Sequence, residues 1–185
     1  MHDVLEGHVE PEGHAQSPLT LRVTVTLSIL AVLVATATLM GHRSNKEELL
    51  LQNQLSDQWS YYQAKNIRLH ERQIGADQLA IFTPVDKEKA AEMREKYLKE
   101  AERYEKDKDA ASEKAKEIEK ERDLVGRRGD RYEAGEVLLE IALILASFTL
   151  LTNKKFFWYA GSLVGVIGLG VALSGFLLPF VARWP

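Results

Sequence analysis

The sequence predicts an all-α membrane protein, with one N-terminal and two C-terminal transmembrane helices flanking a long antiparallel, coiled-coil-like helical hairpin. Three observations predict it. Charge is segregated: of 24 Lys and Arg residues, 20 lie between His42 and Glu133, together with 21 of the 27 acidic residues. The flanking stretches are almost free of charge and long enough to cross a bilayer. The charged middle reads as helix on both sides of a single proline, Pro84. A globular domain would intersperse charged and apolar residues along each element, so this block pattern points to two solvents, despite 28% charged residues and a net charge of −3. No cysteine is present, which removes disulfides, thiolate nucleophiles and Cys-based metal sites.

Residues 1–18 form an acidic tail carrying His2, His8 and His14 at six-residue spacing. Three imidazoles with acids between them can bind Zn²⁺ or Cu²⁺ weakly. Six is not a helix-face spacing, however, and Gly and Pro interrupt the tail. A disordered segment without a metal or cofactor is expected.

Residues 19–41 make the first span. Leu19 to Met40 is 22 residues with one charge, Arg22, against the roughly 20 needed to cross the hydrocarbon core. Ala35-Thr36-Ala37 resembles a signal-peptide cleavage site, but the preceding residues contain four acids and no Lys or Arg. A retained anchor is the better reading.

Residues 42–133 are expected to form the extramembranous hairpin, with its turn near 82–86. Arms of about 42 residues would each be about 63 Å long at the helical rise. Asp86 suits the N-cap of the returning arm, and Gly126 and Gly129 suit a hinge back to the membrane. The returning arm has a coiled-coil seam, to be covered by the outgoing arm, another copy or a different protein: Tyr97, Ala101, Tyr104, Lys108, Ala111, Ala115, Ile118, Arg122 and Val125 alternate at four- and three-residue spacing. The outgoing arm is richer in apolar residues than that seam can cover. Its many Glu/Lys neighbours read as a solvated face.

Residues 134–152 and 156–182 make the second and third spans, separated by Asn153-Lys154-Lys155 and therefore a tight antiparallel pair. Aromatic residues Phe156–Tyr159 and Trp184 mark the ends of the third span. Glu136 and Glu140 fall in the first turns of the second, where water or Arg131 is in reach; a proton or ion relay through Glu140 is a remote alternative. Gly161, Gly165, Gly168, Ala172 and Gly175 lie on one stripe of the third span, the pattern that lets helix backbones pack closely in lipid. The partner is either the second span, whose Ala142, Ala146 and Thr149 repeat the spacing, or another copy of the chain.

Ser56-Asp57-Gln58-Trp59-Ser60-Tyr61-Tyr62-Gln63-Ala64-Lys65-Asn66-Ile67-Arg68, after an early span and a Leu-rich stretch, resembles the bacterial membrane-protein family catalogued as domain of unknown function family 4337. The resemblance extends over most of the chain and implies a bacterial envelope protein; it implies no activity. Trp59, Tyr61, Tyr62, Gln63, Lys65 and Arg68 are candidates for docking a partner, unless Trp59 and Tyr62 simply pack on the returning arm.

Function classes narrow accordingly. No nucleophile–base pair, phosphate-cradling loop or complete metal constellation is readable, so no enzyme, cofactor or small-molecule substrate is expected. The hairpin's net charge of −1 disfavours nucleic acid. What remains is a bilayer-anchored scaffold that self-associates through the glycine stripe and the hairpins, or an accessory subunit of a larger membrane complex. Eight basic residues near the spans on the hairpin side, against Arg22, Lys154 and Lys155 on the other, favour a hairpin on the cytoplasmic side of a bacterial inner membrane, while the short Lys154-Lys155 turn favours the alternative, a periplasmic hairpin.

Overall fold

A computed structural model describes residues 18–82 and 85–181. They form three helices and, among the described residues, no strand: α1 is Pro18–Ile81, α2 Lys87–Thr152 and α3 Lys155–Val181. All three contain a stretch long and apolar enough to cross a membrane.

The chain is divided differently from the five helical pieces expected. α1 runs for 64 residues and α2 for 66, so each joins an apolar stretch to a charged one without interruption. The hinge expected at Gly126 and Gly129 is corrected: both lie inside α2. The physical reason is local. Neither transition carries a proline or a turn cluster, and a glycine within a helix costs only about 1 kcal/mol relative to alanine. A change from apolar to charged side chains alters the solvent a helix prefers, not its backbone. The two glycines instead lie beneath polar side chains of α1. A Cβ on Gly126 would lie 3.0 Å from Glu48 Oε1, and one on Gly129 2.9 Å from Asn45 Oδ1.

The helix ends follow from their residues. Pro18 opens α1, where its fixed φ suits the first turn and its missing N–H costs nothing. Asp86 caps α2: its Oδ1 accepts from the Lys89 N–H at 3.1 Å and its carbonyl from the Ala90 N–H at 3.2 Å. Asn153, with φ of 54°, closes α2 in the left-handed region that asparagine tolerates. Its N–H donates to Thr149 O at 2.8 Å, and two residues later α3 begins.

The described residues divide into two compact units. One takes the chain to Ala37 together with Ala134–Ala172. Its core joins Leu30 and Ala37 of α1 to Leu139, Ala142 and Ala146 of α2, with Val164 of α3 packed against them. The hydroxyls of Thr24, Thr26, Ser28 and Thr36 bond to carbonyls one turn back, so α1 satisfies them internally. The unit is apolar outside as well as inside: Val25, Ile29, Val32, Ile144, Leu163 and Val166 are all exposed. A helix set hydrophobic all round belongs in lipid or in the core of something larger.

The other unit takes Thr38–Glu133 and the chain from Leu173. Its two long arms run antiparallel. Arg72 Nε meets Glu100 at 2.8 Å, Lys65 meets Asp107 at 2.6 Å and Arg122 donates to Gln52 at 2.8 Å. Ala101, Tyr104, Ala111, Ala115 and Val125 are buried on the returning arm, facing a side of α1 that buries Leu51, Leu55, Leu69 and Ala76. Burial of small residues keeps the arms close, while ion pairs such as Glu95–Lys99 and Glu102–Lys106 line the exposed face at turn spacing.

Candidate functional site

The aromatic and basic residues singled out on α1 fall into two groups. Trp59 and Tyr62 are half-buried and meet edge to face, with ring centroids 5.4 Å apart at 81°. Lys65 reaches across to the returning arm. Its ammonium donates to Asp107 Oδ2 and stands 5.0 Å from the Tyr61 ring and 5.4 Å from the Tyr104 ring. The hydrogen bond to Asp107 raises the Lys65 pKa, with Tyr61 adding to it and desolvation opposing. Beside it, Gln58 Nε2 donates to Ala111 O at 3.2 Å. Tyr61 stays 48% exposed, and Gln63 and Arg68 point outward. Gln58, Tyr61, Asp107, Ala111 and Lys114 line an open groove of about 400 Å³.

The structure thus brings Tyr61 and Lys65 to one junction between the arms, pairs Trp59 with Tyr62 separately, and leaves Gln63 and Arg68 free of that junction. Asp107 and Gln58 complete the junction and were not singled out from sequence. The signal was available in the turn. Lys65 and Asp107, Arg72 and Glu100, and Gly75 and Tyr97 are each equidistant from Asp86.

The small-residue stripe of α3 packs on α2. A Cβ on Gly161 would lie 2.9 Å from Ala142 O and 3.1 Å from Ala146 N. One on Gly168 would lie 2.9 Å from Leu138 Cβ and 3.1 Å from Gly135 O. Gly165 faces Ala142 and also Leu30 of α1, and Ala172 lies against Gly135. Gly175 packs on Arg131 and Tyr132. Of the two partners considered for this stripe, α2 therefore occupies it. Gly135 completes the α2 side; it escaped notice because it sits seven residues before Ala142, next to the charged stretch. At the far end, Trp158 Nε1 donates to Thr26 Oγ1 at 3.1 Å, tying α3 to α1.

Glu140 stands on the exposed side of α2 rather than among the buried residues. His2, His8 and His14 lie outside the described residues. Among the described residues no three His, Asp or Glu side chains converge as metal ligands do.

No curated protein matches the chain, and no solved structure does. The family model described as domain of unknown function (DUF4337) matches residues 19–178, from the start of α1 nearly to the end of α3. The chain belongs to that family.

Proposed function

We propose that this chain is a non-enzymatic, membrane-anchored interaction module, whose coiled-coil-like hairpin is held outside the bilayer and self-associates into a scaffold. In this reading the apolar parts of α1 and α2 and the whole of α3 cross a bacterial inner membrane, with the hairpin on the cytoplasmic side. The observation that carries the reading is the outgoing arm. It commits Leu51, Leu55 and Leu69 to the returning arm, yet leaves Leu49, Leu50, Ile67 and Ile74 each more than half exposed. Several charged groups of the hairpin meanwhile hold the arms together or form turn-spaced pairs along the surface. Leu49 with Leu50, and Ile67 with Ile74, make two separate apolar spots on an otherwise polar arm in water, and each supports the reading of a contact surface for another copy. Because α2 already covers the glycine stripe, the hairpin is the surface through which copies would meet.

Chemical cross-linking in intact membranes, followed by mild detergent extraction and mass determination, tests this. Particles at multiples of 20.9 kDa are expected. A particle dominated by other polypeptides would replace the scaffold with an accessory-subunit role, and a lone monomer would sink both.

A further inference from the structure

We propose that Arg128 and Tyr132 form a recognition site for the phosphate oxyanion of an anionic phospholipid headgroup, an inference that rests on the membrane reading above. Tyr132 is 4% exposed, and its hydroxyl has no hydrogen-bond partner. Arg128 Nε is likewise buried without an acceptor. The two residues are one turn apart on α2, and helical side chains lean toward the N-terminus, so the tyrosine lies back over the turn that carries the arginine. The ring is held by glycines on both neighbouring helices. A Cβ on Gly41 would lie 3.8 Å from Tyr132 Cβ, and one on Gly175 would lie 3.5 Å from the ring and 3.3 Å from the Arg128 carbonyl.

Two buried donors without an acceptor are costly, and one of them is cationic. The ligand that satisfies both is an anion rich in acceptor oxygens. Charge around the site agrees. Arg43, Lys46, Arg127 and Arg131 are exposed, and among the described residues neither they nor Arg128 enters an ion pair. Glu47, Glu48, Asp130 and Glu133 share the same stretch without pairing to them, and Glu133 instead accepts from the Asn45 amide at 2.8 Å. Lys65, Arg72, Lys99, Lys106 and Arg122 have carboxylate partners, while Arg68, Arg94, Lys96 and Lys120 are exposed and, among the described residues, form no ion pair, so what sets the site apart is the buried Arg128 Nε beside the Tyr132 hydroxyl. A lipid, rather than free phosphate, is favoured by what adjoins the site. Leu177, two residues from Gly175, is 54% exposed, and the apolar stretch of α2 begins at Ala134. Basic positions at such a boundary meet the phosphate level of the bilayer.

The test uses the full chain in a neutral detergent, with native mass spectrometry reporting binding of phosphatidylglycerol, diacylglycerol or inorganic phosphate. Wild type should hold phosphatidylglycerol about tenfold more tightly than diacylglycerol, which lacks the phosphate, the factor expected of one charged hydrogen bond. That preference should vanish in Arg128→Gln and fall several-fold in Tyr132→Phe, which removes a hydroxyl and keeps the packing. It should persist in Arg127→Gln, which removes the same charge from an exposed neighbour. Equal binding of the two lipids, or a preference lost equally in Arg127→Gln, would overturn the site. Displacement of phosphatidylglycerol by inorganic phosphate at comparable concentration would overturn the lipid and leave a free-anion site. Release of the wild-type chain from membranes by alkaline carbonate would refute the membrane reading itself, a result separable from any of these.

Discussion

Two glycines of α3 separate packing from propensity at the level of single residues. Gly161 faces the α2 backbone so closely that any side chain must displace a helix, because a carbonyl oxygen and an amide nitrogen cannot rotate away. Gly170, nine residues on, has nothing within 4 Å of its hypothetical Cβ. Gly161→Val should destabilise the helix pair by roughly 2 kcal/mol, the order of an overpacked core substitution, whereas Gly170→Ala should be neutral or slightly stabilising. Thermal unfolding of both variants in the same detergent checks this; equal losses would mean that α3 does not pack on α2 as described. Lys65 is the corresponding residue on the hairpin. It joins two aromatic faces and a carboxylate drawn from both arms, which makes it a marker of arm register more than a source of stability.

The elements show what could be read in advance and what could not. Three apolar stretches, the break after Ile81 and the small-residue face of α3 all follow from spacing and composition, because each rests on local chemistry. The fusion of span and arm into single helices does not. A glycine is equally at home in a hinge and at a close helix contact, and only the neighbouring helix decides which; Gly126 and Gly129 are over Glu48 and Asn45, not at a bend. The Lys65–Asp107 junction was readable only by folding the sequence about Asp86, since long-range pairing depends on placing the turn to within one residue. The tight connection between α2 and α3 belongs to the legible group. Asn153 adopts positive φ, so Asn153→Gly should be tolerated while Asn153→Val should cost about 1–2 kcal/mol. Chemical denaturation of the two variants distinguishes them, and equal stability would contradict the left-handed cap.

Over the whole molecule, the hairpin has the longer list of titratable pairs, and their sign gives its response to acid. Hydrogen bonds from Lys99 and Lys106 hold the Glu95 and Glu102 carboxyls below their ordinary value of 4.5. Groups with depressed pKa stabilise the fold above that ordinary value and lose the contribution as pH falls through the lowered one. Helicity followed by far-ultraviolet circular dichroism should therefore hold from neutrality to about pH 5 and decline below pH 4.5; a flat profile to pH 2 would show that the pairs are dispensable. The apolar unit has no such dependence built into its core, which consists of Leu and Ala side chains. Its own constraint is the brevity of the connection between Thr152 and Lys155. Two apolar helices joined by two residues leave no length for one to enter a bilayer while the other waits in water. If the proposed membrane anchoring holds, the two helices must therefore enter a bilayer together as one hairpin, with Lys154 and Lys155 at its tip.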